Sequence, residues 1–272
     1  MIKYSLIFAF IFLLGFTKSN ACTSFILYGD DIWYGHNLDN SYTQVKVLIE
    51  KNGQDKIFKC AFPNGTFFTA MNSNGLFANL QDLYYNGDSP DFIDGAANTL
   101  NLQEVRDYAI NNCSEVDEVI NFIGNNTVIP NRSRVLHSMF ADVKGNVVII
   151  EPMGDETGMA LIQDSIAVMT NFPNSEFNGL NYDEVRGVGS GRYKTAMKYL
   201  KMHRATKAEF TVEKGFDLLD KVSQSSGGYR TVFSVLFHPK KMEAFICLDG
   251  DFNKIWRVSL NNQTLETYSG FN

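Results

Sequence analysis

The sequence predicts one α+β domain, and three observations carry that prediction. Its patterns run strands, helices, strands, helices, strands, without an internal repeat, a low-complexity segment or a linker. The early strand patterns are short and punctuated by the tight-turn dipeptides Asn52-Gly53, Asn64-Gly65 and Asn74-Gly75, which makes their pairing antiparallel. The composition, 44% hydrophobic and 20% charged over 272 residues, supplies a sizeable core.

The first pattern after the apolar start is a hairpin. β-Branched and aromatic residues flank the turn signal Gly29-Asp30-Asp31, giving strands 23–28 and 32–37. Strands 44–50, 56–62, 66–71 and 76–80 follow. Residues 86–97, with Gly87, Pro90 and Gly95, read as a loop. Asn101 with Glu104 three residues on is a capping-box start for a helix. A second helix begins at Ser114, buries Val116, Val119, Ile120 and Ile123, and ends at Gly124. Strands return at 135–142, 147–151, 158–162 and 166–170, the first two joined by the turn Lys144-Gly145-Asn146. The Gly-rich run from Arg186 to Arg192 precedes a helix whose Tyr193, Ala196, Met197 and Leu200 fall at i, i+3, i+4 and i+7. A helix over 212–222 and strands 232–237, 243–248 and 254–258 close the chain.

Residues 1–21 read as a secretory signal. Lys3 is the basic start, residues 5–16 are apolar but too short to span a bilayer, and Ser19 and Ala21 occupy the −3 and −1 positions of a cleavage site. The expected product is exported: periplasmic or secreted, or lysosomal in a eukaryote. It would begin at Cys22. The formal net charge is −6, and the leader holds Lys3 and Lys18 and no acid, so residues 22–272 carry −8. That balance, with no basic run, argues against nucleic acid as a partner. The four cysteines, Cys22, Cys60, Cys113 and Cys247, lack CxxC spacing, so neither a zinc site nor a redox pair is expected. The run Gly187–Gly191 lacks the Gly-Lys-Ser/Thr of a phosphate loop.

Cleavage after Ala21 would put a thiol and a free α-amine on one residue, which is a nucleophile and its own base. An unperturbed α-amine has a pKa of about 7.7–8.0, so near neutrality part of it can accept the thiol proton. The hairpin would bring His36 to Asp39 back beside Cys22. Cys22-Thr-Ser-Phe followed by Gly35-His36-Asn37-Leu38-Asp39 resembles the start of the choloylglycine hydrolase family. Asn72-Ser-Asn-Gly-Leu76, Met169-Thr-Asn171 and Gly189-Ser-Gly-Arg192-Tyr193 match the family in type and order.

The resemblance implies an N-terminal-nucleophile (Ntn) hydrolase fold, a four-layer αββα sandwich of two antiparallel sheets. It implies hydrolysis of linear, non-peptide amides through an acyl-enzyme, without metal or organic cofactor. Carried over residue by residue, Cys22 is the nucleophile and Asp39 holds the α-amine toward it. Asn171 places its side-chain amide on the developing oxyanion, and Arg192 sits by Cys22 and favours its thiolate. The second oxyanion donor lies just beyond the Asn72–Leu76 stretch and in the family often acts through its backbone N–H, with Asn79, Gln81 and Asp82 as candidates and Asn79 preferred. His36 stands where the family usually has arginine and is a candidate substrate contact. Tyr84, with Phe67, Phe68 and Tyr85, is a candidate lining for an apolar acyl group. The partner is a small N-acyl amide, and the resemblance leaves a homo-oligomer open. Two other readings stand beside this one: a lipid-anchored exported binding protein acylated at Cys22, and a Cys-His protease using His36.

Overall fold

The structure, a computed structural model, describes residues 22–41, 44–91, 97–154, 156–225 and 229–271. The signal segment 1–21 and part of the loop 86–97 lie outside the described residues. The first half of the chain forms β1 (Thr23–Tyr28), β2 (Ile32–Asn40), β3 (Lys46–Asn52), β4 (Asp55–Ala61), β5 (Phe67–Asn72), β6 (Phe77–Asn79), β7 (Gln81–Asp82) and β8 (Thr99–Asn101). Helices α1 (Leu102–Asn112) and α2 (Val116–Ile123) follow, then β9 (Thr127–Ile129), β10 (Leu136–Ala141), β11 (Val147–Met153), β12 (Glu156–Ile162) and β13 (Ile166–Met169). Helices α3 (Ser190–Thr206) and α4 (Val212–Lys221) precede β14 (Arg230–His238), β15 (Glu243–Leu248), β16 (Ile255–Ser259) and β17 (Thr264–Ser269).

Two antiparallel sheets stack face to face. One has seven strands in the order β13-β1-β2-β14-β15-β16-β17, the other eight in the order β12-β11-β10-β6-β5-β4-β3, with β7 paired to β10 beside it. Strand parity explains the layers, because successive side chains leave opposite faces. On β1, Ile26 enters the core between the sheets with Phe58, Phe77 and Phe237, while Phe25 and Leu27 face Ala196, Leu200 and Phe216 of α3 and α4. On the eight-stranded sheet, Ile57, Ala70 and Ile150 turn outward onto Val105, Ala109 and Val119 of α1 and α2. The result is the expected four-layer αββα sandwich.

Local chemistry sets the helix ends. Asn101 Oδ1 accepts from the backbone N–H of Gln103 and Glu104, and Glu104 Oε2 accepts from Asn101 N at 2.8 Å. Such a cap contributes about 1 kcal/mol. The second helix starts at Val116 rather than Ser114, because Ser114 N and Glu115 N both donate to the Glu118 carboxylate and form its cap.

Several pairings were not predicted, that of β7 with β10 among them. β17 forms the edge of the seven-stranded sheet, and β8 and β9 make a short parallel pair. β2 runs three residues past its predicted end because β14 continues to pair it as far as Asn40. Among the described residues no helix is long and apolar enough to cross a membrane, and no His/Cys/Asp/Glu group could hold a metal. All four cysteines are unbridged and buried.

Candidate active site

The β1–β2 register places Thr23 opposite Asn37, so Asp39 lies just beyond the start of β1, beside Cys22. On its other side β2 pairs with β14, where Thr231 faces Asp39 next to a register shift. That irregularity leaves the Thr231 hydroxyl on the carboxylate. Thr231 Oγ1 donates to Asp39 Oδ1 at 2.5 Å, and Gln224 Nε2 donates to Oδ2 at 2.8 Å. Parity sends Cys22 and Ser24 toward the other sheet and Thr23 toward α3.

Arg192, in the first turn of α3, joins the parts. Its Nη1 donates to the Cys22 carbonyl and to Thr23 Oγ1, both at 2.6 Å, and lies 3.9 Å from Asp39 Oδ2. Its Nη2 donates to Asn171 Oδ1 at 2.9 Å. The reach depends on Gly189, at φ +82°. A Cβ there would sit 2.7 Å from Arg192 Nη2 and 2.8 Å from Thr170 Oγ1. Asn171 follows directly on β13 with its Oδ1 held by Arg192. Its Nδ2 donates to the Asp82 carbonyl at 2.7 Å, and its own carbonyl accepts from Tyr84 N at 2.8 Å. The amide orientation is thereby fixed, oxygen on the guanidinium and nitrogen pointing toward the cleft wall.

Behind Cys22 the two sheets are joined by a buried polar group. Ser24 Oγ accepts from Asn79 Nδ2 at 2.5 Å and from Gln81 Nε2 at 2.6 Å. A hydroxyl that accepts twice has only its proton left, which goes to His36 Nδ1 at 2.7 Å. His36 is therefore the neutral tautomer protonated at Nε2, and burial pushes its pKa down to about 3. Asn79 is fully engaged: its Oδ1 also accepts from Met139 N at 2.9 Å.

A narrow cleft of about 50 Å³, partly open to solvent, lies against Cys22. Its apolar wall is Leu38, Phe62, Phe67, Phe68, Leu80 and Leu136, and its polar wall includes Gln81, Asp82 and Arg134. Arg134 holds Asp82 through two bonds, Nε to Oδ1 at 2.8 Å and Nη2 to Oδ2 at 2.5 Å. Of the residues singled out by sequence, Cys22, Asp39, Asn171 and Arg192 are brought together. Gln81 and Asp82 line the cleft with Cys22 and Asp39. The side chains of Asn79 and His36 bond Ser24, two residues on from Cys22, and Tyr84 meets the site through its backbone N–H to Asn171. Thr231, Gln224 and Arg134 had no sequence signal. Each acts on a carboxylate far away in the chain, and only the β2–β14 and β7–β10 pairings bring them together.

The surroundings of Cys22 favour the protonated thiol. Burial pushes the Cys22 thiol up to about 12. Asp39's charge adds to this, while its backbone N–H on the sulfur and the more distant Arg192 pull the other way. Arg192 thus acts in the expected direction, but burial outweighs it. Cys22 is 4% exposed.

Burial also pushes Asp39 up to about 6, against the downward pull of Thr231, Arg192 and Gln224. In the chain that carries residues 1–21, the folded state keeps this proton up to about 6 and the unfolded state only to the ordinary 3.8. Stability is therefore full below the lower value and falls as pH rises through that window, by about 1.4 kcal/mol per pH unit and ~3 kcal/mol in all. Asp39→Asn should flatten that part of the stability curve, as read from urea midpoints between about pH 4 and 7. An unchanged slope would assign the titration to another group.

Comparison with known proteins gives the family and the fold. The family model described as "Linear amide C-N hydrolases, choloylglycine hydrolase family" matches residues 58–215, more than half of the chain. That span contains Asn79, Tyr84, Asn171 and Arg192 and begins after Cys22, His36 and Asp39. Among solved structures, a cysteine-to-alanine mutant of the conjugated bile acid hydrolase from Clostridium perfringens is similar at 16% identity, with 92% of this chain and 97% of that one covered and a TM-score of 0.68. An arginine-to-leucine variant of the same enzyme is similar at 18% identity, with 92% and 97% coverage and a TM-score of 0.65. Penicillin V acylase from Agrobacterium tumefaciens is similar at 16% identity, with 92% and 99% coverage and a TM-score of 0.64.

Proposed function

Because this chain belongs to the choloylglycine hydrolase family of linear amide C–N hydrolases, we propose that it is exported, matures at Cys22 and hydrolyses the amide bond of small N-acyl substrates. One observation carries the reading: a single guanidinium, Arg192, contacts the Cys22 carbonyl and the Asn171 side chain and stands 3.9 Å from Asp39. It registers the nucleophile, the oxyanion amide and the carboxylate that would hold the amine.

Before cleavage the Cys22 nitrogen is an amide and no base, and the thiol keeps its proton. Release of the leader creates an α-amine beside Asp39. The Cys22 α-amine takes the thiol proton, and Sγ attacks the substrate carbonyl carbon, forming a C–S bond. Negative charge moves onto the carbonyl oxygen, where Asn171 Nδ2 donates to it. The C–N bond breaks as the α-ammonium returns the proton to the leaving nitrogen. Water, deprotonated by the same amine, then attacks the thioester and releases the carboxylic acid and the thiol. Leu38, Phe62, Phe67, Phe68, Leu80 and Leu136 favour an apolar acyl group.

Of the two other readings, the Cys-His protease loses support. His36 bonds Ser24 through Nδ1 and its Nε2 has no hydrogen-bond partner, so it makes no dyad with Cys22. The lipid-anchored reading is separated by intact mass, since it requires a diacylglyceryl adduct on Cys22 where the amidase reading requires an unmodified N-terminal cysteine.

The substrate is tested with chain verified to begin at Cys22, on bile salts, phenoxyacetyl lactams, acyl homoserine lactones and N-acyl ethanolamines. Release of the free amine or acid from at least one class is expected, with preference for apolar acyl groups. No turnover in any class would overturn the reading.

A further inference from the structure

Glu151, in the body of β11, is fully buried in a run that is otherwise apolar. An aliphatic side chain there would pack, and a bare carboxylate would be costly. Its charge is met by five donors. Asn174 donates to Oε1 through its backbone N at 2.7 Å and its Nδ2 at 3.3 Å. Ser175 donates to Oε2 through its backbone N at 3.0 Å and its Oγ at 2.6 Å. His137 Nδ1 lies 3.2 Å from Oε1. Four of the five come from one loop, the segment that leaves β13 through Asn171, Phe172 and Pro173.

We propose that Glu151 is a positioning residue that fixes the oxyanion loop and hence the Asn171 amide. This inference rests on the role given to Asn171 above. Asn171 is tied at its side chain to Arg192 and to the Asp82 carbonyl, and at its own carbonyl to Tyr84. Those contacts hold one end of a short segment. Glu151 holds the other end three residues on, and the intervening Pro173 and buried Phe172 leave little slack. With both ends fixed, Asn171 Nδ2 needs no reorganisation when the oxyanion forms. With the downstream end released, the amide would have to be reset in each turnover.

Glu151→Gln keeps the shape but turns an N–H toward donors on one side of the site, so either the Asn174 or the Ser175 contacts are lost. We expect kcat per titrated active site to fall about tenfold with KM within about threefold. The aldehyde matching the acyl group of the best panel substrate adds to the thiol and puts an oxygen in the oxyanion position. Its inhibition should weaken by the same factor as kcat, whereas inhibition by the matching carboxylic acid product should not change. Ser175→Ala, which removes one loop donor and spares the buried carboxylate, should show the same pattern at about threefold and serves if the first variant does not fold.

A lower melting temperature with unchanged kcat per titrated site in both variants would overturn the inference, as would equal weakening of aldehyde and product. Inactivity of the parent chain on every panel substrate would instead sink the functional reading itself.

Discussion

Replacing Cys22 with alanine should lower amide hydrolysis by roughly 10⁴–10⁶-fold, with the fold intact. The size follows from what is lost. Cys22 supplies the attacking sulfur, and no other cysteine lines the cleft: Cys60, Cys113 and Cys247 are buried in the three apolar layers. Cys22→Ala leaves the α-amine, Asp39 and Asn171 in place, so what remains measures binding and oxyanion stabilisation alone. Cys22→Ser is the sharper control. It keeps a hydroxyl of similar size, but an alcohol gives up its proton to an amine far less readily than a thiol. Turnover is checked by release of free amine, and folding by the urea midpoint. Either variant retaining more than about a tenth of the parent rate would remove Cys22 from the mechanism.

The second large effect is expected at Asn171. Deleting one oxyanion donor raises the barrier by roughly 2.7–4 kcal/mol, about 10²–10³-fold in kcat. Asn171→Ala should approach that range with KM little changed, since the donor acts on charge that develops after binding. The variant also removes the Asn171 side chain from Arg192 Nη2 and from the Asp82 carbonyl. Asn171→Asp separates these effects. The carboxylate can still accept from Arg192 but carries no donor, so its kcat should fall at least as far. A loss confined to KM would show that Asn171 binds the ground state instead.

The sequence announced these residues unevenly, for reasons that can be given one by one. The first hairpin was legible because Gly29-Asp30-Asp31 separates two runs of β-branched and aromatic residues, and the strands appear at Thr23–Tyr28 and from Ile32. The start of α1 was legible because a capping box is encoded in four consecutive residues. β17 was not, because it lies at a sheet edge and all but its last residue are exposed, so no apolar stripe marks it. The parallel β8–β9 pair is too short for a pattern.

At the site, residues on motifs were found and the groups that hold them were not. Gln224 and Thr231 bond Asp39 from 185 and 192 residues away. Glu151 appeared only as the end of a strand, since its partners lie 23 and 24 residues on and nothing local marks a buried carboxylate. Asn79, preferred by its place near a motif, has its side chain spent on Ser24 and Met139, a commitment only the stacking of the sheets creates.

The account's central claim is that the active protein begins at Cys22 and carries the acyl group on that sulfur. The most direct measurement is acid quenching during turnover of the best substrate, followed by intact mass and peptide mapping. The account predicts an N-terminal peptide that starts at Cys22, with the acyl mass on its thiol in a hydroxylamine-sensitive bond. Active protein that starts at any other residue, or carries the acyl group on any other side chain, would contradict it.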